Sequence, residues 1–345
     1  MKKLNVAMLG FGNAGKAFAK MLTDKEQEIA KKYNTDIRIV AITTGSRGTI
    51  VNEDGIDVIK ACADIENTGK FAEDTKGLCK FSSFDVIENV NYDVLIEMTP
   101  LEIFTGQPAI DHIKGAFKRG KHVITANKGP IAWAFNELRS MAANNKCLFF
   151  YETTVMDGTP IFNLVEHTLK FCKITEVDGI LNSTTNYILE ELALGKPYDE
   201  VIEAGKKLGF IEANPAMDIE GYDAAAKVTA LLNVLMDANI TPNEVDRTGI
   251  ENITVEDIKN AEERGNVIKL ICKGTLKDGK VIASVKPVEI SKKDLLASID
   301  GTSSIVAITT DLMGRLSIVE HGPEIEQTAY GIFGDLIRVL DELNR

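Results

Sequence analysis

A glycine-spaced turn constrains the start of this chain more than any other feature. Leu4 to Leu9 is an apolar run suited to a buried strand. Gly10-Phe11-Gly12-Asn13-Ala14-Gly15 follows directly, and Lys16 to Leu22 reads as a helix. The spacing G-x-G-x-x-G says little alone, but between a strand and a helix it is the arrangement that binds dinucleotides. Gly10 permits a tight turn, Gly12 lets the backbone approach a pyrophosphate, and Gly15 lets the helix pack close to the strand. The helix start then offers amide N–H groups and the positive end of its dipole to the phosphates. The competing reading is a glycine-rich turn that holds no ligand.

The alternation continues. Ile37 to Ile42, Asp93 to Met98 and His122 to Thr125 read as strands, and Asp111 to Arg119 and Ala132 to Ala143 as helices. Strands alternating with helices predict βαβ units on a parallel sheet, an α/β doubly wound domain of Rossmann type. Near Tyr151 the pattern changes to α+β. Ile174 to Leu181 reads as a strand, followed by helices over Thr185 to Leu194, Tyr198 to Leu208 and Tyr222 to Asp237. Val267 to Leu276 and Lys280 to Val285 form a hairpin signal at Asp278-Gly279. Ile305 to Thr310 and Arg315 to Val319 suggest another pair, and Thr328 to Leu343 is an amphipathic helix. The stretch from Thr241 to Thr254 reads as a polar loop.

Charge and composition narrow the function classes. A net charge of -12 over 345 residues argues against a nucleic-acid partner. No apolar run reaches the ~18 residues of a membrane span, and the N-terminal apolar stretch is too short for a signal peptide. Cytoplasm is the expected location. The five cysteines and four histidines are scattered, which suggests neither a disulfide framework nor a zinc cluster.

The end of the second strand bears on the cofactor. NAD binders usually place an acid there for the ribose hydroxyls. Here the run is Thr43-Thr44-Gly45-Ser46-Arg47. Ser46 and Arg47 suit the 2′-phosphate of NADP, with NAD as the alternative if Arg47 is only a solvated loop charge. The expected cofactor-binding set is Gly10, Phe11, Gly12, Asn13, Ala14, Gly15, Ser46, Arg47, Thr99 and Lys128.

Two lysines stand out. Lys227 is the only charged residue from Ala224 to Met236, and Asp223 lies one helical turn before it on the same face. The pair is either a partly buried ion pair serving the fold or a lysine held for proton transfer. Lys128 follows a buried strand, where open α/β sheets place their ligand crevice, or is an ordinary loop lysine.

Together these stretches resemble homoserine dehydrogenase. The resemblance rests on Gly209-Phe210, Glu212, Asn214-Pro215, Asp218, Gly221, Asp223 and Lys227 at that family's spacing. It also rests on Gly120 to Lys128, Tyr151 to Pro160, and the run Gly179-Ile180-Leu181-Asn182-Ser183-Thr184-Thr185-Asn186-Tyr187-Ile188-Leu189. It implies a Rossmann domain over 1–150, a substrate-binding and dimerisation domain over 151–310, and a segment 311–345 returning to the first domain. It further implies a homodimer and interconversion of L-homoserine and aspartate 4-semialdehyde. Lys227 would handle the hydroxyl proton, supported by Asp223, with Lys128 as a second catalytic or substrate-orienting lysine. Two ammonium groups near one oxygen would lower each other's pKa. Glu212 and Asp218 would bind the substrate amine. Backbone carbonyls of Glu152, Val155, Asp157 and Thr159 would hold a monovalent cation such as sodium.

The chain departs from the family's pattern at Gly205, where alanine is usual, and at Ile211, where a small residue is usual. The turn from His321 to Ala329 is shorter than usual and carries Glu324 and Glu326. Other classes remain open on residues alone. One is another NAD(P)-dependent oxidoreductase, including a phosphorylating one with a cysteine nucleophile such as Cys147 or Cys172. The other is a non-catalytic nucleotide-binding protein.

Overall fold

In the first strand, β1 (Lys2–Leu9), Leu4, Val6 and Met8 pack into one hydrophobic cluster, and Ala7 and Leu9 into another. Side chains alternate across a strand, so both faces of this sheet are covered, as in a doubly wound fold. The structure, a computed structural model, describes every residue except Phe210, Glu212 and Ala213. The chain divides into two units, Met1–Pro160 with Glu324–Arg345, and Ile161–Pro323.

The first unit continues with α1 (Asn13–Tyr33), β2 (Thr35–Thr44), β3 (Gly48–Val51), α2 (Val58–Thr68), β4 (Leu78–Cys79) and α3 (Ser83–Asn89). Then come β5 (Val94–Glu97), α4 (Ala109–Lys118), β6 (His122–Thr125), α5 (Lys128–Asn144) and β7 (Phe149–Phe150). The sheet order is β4-β3-β2-β1-β5-β6-β7. β2, β1, β5, β6 and β7 are parallel neighbours, whereas β3 and β4 add an antiparallel edge. The expected parallel sheet is therefore present, with an edge the sequence reading left out. The charged stretch after Leu22 does not end α1. Ile29 lies two turns beyond Leu22 on the same buried face, and the helix stops only at Asn34, which takes a left-handed φ of 50°.

The second unit holds α6 (Ile161–Thr168), β8 (Ile174–Ile180), α7 (Ser183–Ala193), α8 (Tyr198–Leu208), α9 (Ala216–Ile219) and α10 (Tyr222–Met236). It continues with β9 (Asp246–Arg247), α11 (Val255–Glu263), β10 (Asn266–Lys277), β11 (Lys280–Ser291), β12 (Ser304–Thr310) and β13 (Gly314–Glu320). Its sheet runs β13-β12-β8-β10-β11-β9. The expected hairpin turn is present, with Asp278 and Gly279 both left-handed between the facing residues Lys277 and Lys280.

The chain then returns to the first unit as α12 (Ile325–Leu343), whose Ala329, Ile332, Leu336, Val339 and Leu340 join the cluster containing Leu4, Val6 and Met8. The dividing points differ from the expected 151 and 311. Residues 151–160 stay with the first unit because α12 holds them. The buried Asp335 carboxylate accepts the Glu152 N–H at 2.9 Å, and the Thr328 hydroxyl donates to Asp157 at 2.6 Å. Residues 311–323 stay with the second unit because β13 pairs along the whole of β12.

Candidate active site

In the first unit the glycine turn meets the C-terminal end of β5. Gly10 has φ +99°, and a Cβ there would lie 2.2 Å from the Met98 carbonyl oxygen, so both conformation and space require glycine. A Cβ on Gly12 would meet open space. α1 opens at Asn13 with no side-chain cap and no acid in its first turn. The amides of Asn13, Ala14 and Gly15 thus have no acceptor within the helix, the arrangement that receives phosphate. A cleft of about 260 Å³ lies beside the glycine turn, lined among others by Gly10, Phe11, Gly12, Ser46, Arg47 and Thr99. The Arg47 guanidinium donates to the Phe11 carbonyl at 2.9 Å, so the arginine sits against the glycine turn.

Thr99, which lines this cleft, is held by a buried polar network. Glu97, at the end of β5, is fully buried and accepts from the Thr99 N–H at 3.1 Å and from the Thr99 hydroxyl. Asn127 donates to the Thr99 carbonyl at 3.1 Å and caps α5 by accepting from the Gly129 N–H at 3.0 Å. The helix therefore opens at Lys128 rather than at Ala132, and the half-buried Lys128 stands at its first position.

The segment expected to hold a cation is a tight buried turn. Glu152 and Val155 are buried, and Met156 and Asp157 both take left-handed φ values. The Thr153 hydroxyl lies 2.8 Å from the Asp157 carbonyl oxygen and 2.9 Å from that of Thr328, and can donate to one at a time. Among the described residues no group of three or more His, Cys, Asp or Glu is placed to hold a metal ion. A cation at this turn would depend on backbone carbonyls.

In the second unit, α10 opens at Gly221 and carries Asp223 and Lys227 one turn apart. The Lys227 ammonium donates to the Leu181 carbonyl at 2.8 Å and lies 3.2 Å from the Asp223 carboxylate. Both side chains are largely buried, and the surrounding helix face is apolar, so the pair sits in a desolvated setting. Asp218 enters the same cluster through Asn182, whose amide donates to Asp218 at 2.7 Å and to Asp223 at 2.9 Å. Glu212 lies outside the described residues. Lys128 and Lys227 belong to different units.

The chain matches a family model described as homoserine dehydrogenase over residues 160–337, and one described as homoserine dehydrogenase, NAD binding domain, over residues 10–152. It belongs to the homoserine dehydrogenase family. The homoserine dehydrogenase of Methanocaldococcus jannaschii is 39% identical, covering 99% of this chain and 100% of that one. An NAD(+)-dependent homoserine dehydrogenase of Pseudomonas canavaninivorans is 33% identical, covering 100% and 98%. A solved hyperthermophilic archaeal homoserine dehydrogenase mutant in complex with NADPH superposes with a TM-score of 0.84 at 30% identity, covering 99% of this chain and 98% of that one.

For a homoserine dehydrogenase, two features looked irregular in sequence and are explained by packing. A Cβ on Gly205 would lie 2.3 Å from Cδ1 of Ile211, so the larger side chain fills the space that the missing one leaves. In the short turn, the Glu324 N–H donates to the Gln327 amide oxygen at 2.9 Å, and the helix opens at Ile325, before the expected Thr328. Sequence reasoning missed Glu97, Asn127, Asn182 and Arg247. Arg247 lies 3.7 Å from the Tyr222 ring and donates to the Glu220 carbonyl, clamping the segment between Asp218 and Asp223. A lone acid ending the apolar run Val94-Leu95-Ile96 was a usable signal for Glu97; Arg247 had none.

Proposed function

We propose that this chain interconverts L-homoserine and L-aspartate 4-semialdehyde, with NADP as the preferred nicotinamide cofactor. The observation that carries the reading is the desolvated cluster of Lys227, Asp223 and Asp218 in a member of this family. A bound nicotinamide supplies or accepts the hydride, and the protein supplies geometry and proton handling. Lys227 exchanges the proton with the substrate hydroxyl oxygen at its Nζ, and its positive form stabilises the developing alkoxide. Asp223 holds that ammonium in place. Asp218, with Glu212, suits the substrate ammonium. Lys128 takes a substrate-orienting part. The reading places the step in amino-acid biosynthesis, in the cytoplasm, in a homodimer. Among the described residues no helix is long and apolar enough to cross a membrane.

The cofactor preference rests on Arg47. No acid stands at the end of β2 to accept from ribose hydroxyls, and the arginine borders the cleft. A sodium ion at the Glu152, Val155, Asp157 and Thr159 carbonyls would support the turn that α12 holds. Burial pushes the Cys147 thiol pKa up, which disfavours a thiolate nucleophile there.

The test follows reduced cofactor by absorbance with homoserine and each cofactor. Lys227→Ala should lower kcat by ~10²–10⁴-fold while leaving cofactor affinity intact. Parent-like turnover in the folded variant would remove the lysine from the reaction. Arg47→Ala should raise the KM for NADP roughly 10-fold or more relative to NAD. Equal effects on both cofactors would reject the phosphate role.

A further inference from the structure

Asn182 is buried, with 4% of its surface exposed, and each side-chain valence has a partner in the second unit. Its amide oxygen accepts from the Thr185 N–H at 2.8 Å and faces the Thr185 hydroxyl at 2.9 Å. Its nitrogen donates to Oδ1 of Asp218 at 2.7 Å and to Oδ2 of Asp223 at 2.9 Å. The same Oδ2 faces the Lys227 ammonium at 3.2 Å. The orientation of the amide is settled by chemistry. A backbone N–H needs an acceptor and two carboxylates need donors, so the flipped amide would face donor to donor and acceptor to acceptor.

We propose that Asn182 is a positioning residue for the reaction, spanning the two carboxylates so that one faces the substrate ammonium while the other holds Lys227. The inference rests on the roles assigned above to Asp218 and Lys227. Two carboxylates drawn close in a half-buried setting repel unless a donor stands between them. An amide NH₂ has two hydrogens diverging by about 120° and carries no charge, so it can donate to both at once. A hydroxyl has one hydrogen and cannot.

The bland account is that Asn182 only caps α7. Capping uses one side-chain acceptor, and Ser, Thr and Asp supply it about as well as Asn. It does not use the NH₂ group. The bridging hydrogens are therefore surplus to the cap, and substitution can remove them while the cap stays.

The experiment measures steady-state kinetics with homoserine and NADP, and the melting midpoint, for full-length parent, Asn182→Ser, Asp218→Asn, the double variant and Lys227→Ala. Asn182→Ser should keep a cooperative melt and lose roughly 10–100-fold in kcat/KM for homoserine, with the KM for cofactor unchanged. The double variant should cost less than the product of the two single costs, because both act on one contact. Parent-like homoserine kinetics in Asn182→Ser, or strictly multiplicative costs, would overturn the proposal. If Asn182→Ser does not fold, Asn182→Asp keeps the capping oxygen, loses both bridging hydrogens and should show the same loss. Parent-like kinetics in Lys227→Ala and Asp218→Asn would instead overturn the reaction assigned above. Impairment of those two alongside a parent-like Asn182→Ser would sink only the positioning role.

Discussion

Gly205 and Ile211 make a prediction whose sign depends on the partner. Glycine inside α8 is a poor helix residue, and alanine there should help by about 1 kcal/mol on propensity alone. The new Cβ, however, would lie 2.3 Å from Cδ1, 2.5 Å from Cγ1 and 3.3 Å from Cβ of Ile211. Ile211 is itself buried at 4% exposure, so it has little room to retreat. Overpacking of this kind costs about 1–3 kcal/mol. The clash wins or draws, and Gly205→Ala should be neutral to destabilising by about 2 kcal/mol. In an Ile211→Ala background the clash disappears and the same substitution should stabilise by about 1 kcal/mol. A coupling of about 1–3 kcal/mol corresponds to a difference of roughly 2–12 °C in midpoint for a unit of this size. Melting the four proteins of the cycle measures it. Additive shifts would refute the packing argument, and so would stabilisation by Gly205→Ala alone.

Two further outcomes concern the rest of the fold. Ending the chain after Pro323 removes Ile332, Leu336, Val339 and Leu340 from the first unit, all at 1% exposure or less. That is an upper estimate of about 6–12 kcal/mol of burial, comparable to the whole stability of a domain, so the first unit should lose its cooperative transition and its cofactor binding while the second unit keeps its own; retained binding would contradict it. Burial pushes the Cys272 thiol up to about 12, above its ordinary value near 9. The folded value is the raised one, so this contribution to stability is complete below about pH 9 and is lost as pH climbs from there to about 12. Cys272→Ala should flatten that part of the stability profile, and in the native parent iodoacetamide should spare Cys272; rapid native labelling would disprove the burial.

The parts legible in sequence were those whose cause is local. The apolar run of β1 and the glycine turn announce themselves within fifteen residues. The Asp223–Lys227 pair is visible because helix geometry brings residues one turn apart together. α3 and α11 also carried local signals, the capping boxes Ser82–Asp85 and Thr254–Asp257, but their few apolar residues hid them. β3 and β4 are short edge strands without alternation long enough to read. The bridge through Asn182 was out of reach for a different reason. It joins residues 36 and 41 positions apart, and an asparagine before a helix reads as a cap and nothing more. The limits of α1 depended on tertiary burial at Ile29, which outweighed the charged composition of the stretch.

The return of α12 makes the cofactor-binding unit discontinuous in the chain, with the other unit inserted between its two pieces. During synthesis, Ile161–Pro323 can acquire its native contacts while the ribosome is still working, whereas the cluster that β1 shares with α1 and α2 stays incomplete until residues beyond 324 have emerged. A stalled or clipped chain would thus display an apolar patch on the cofactor-binding unit, where Phe18, Leu22 and Ile29 of α1 await their partners in α12.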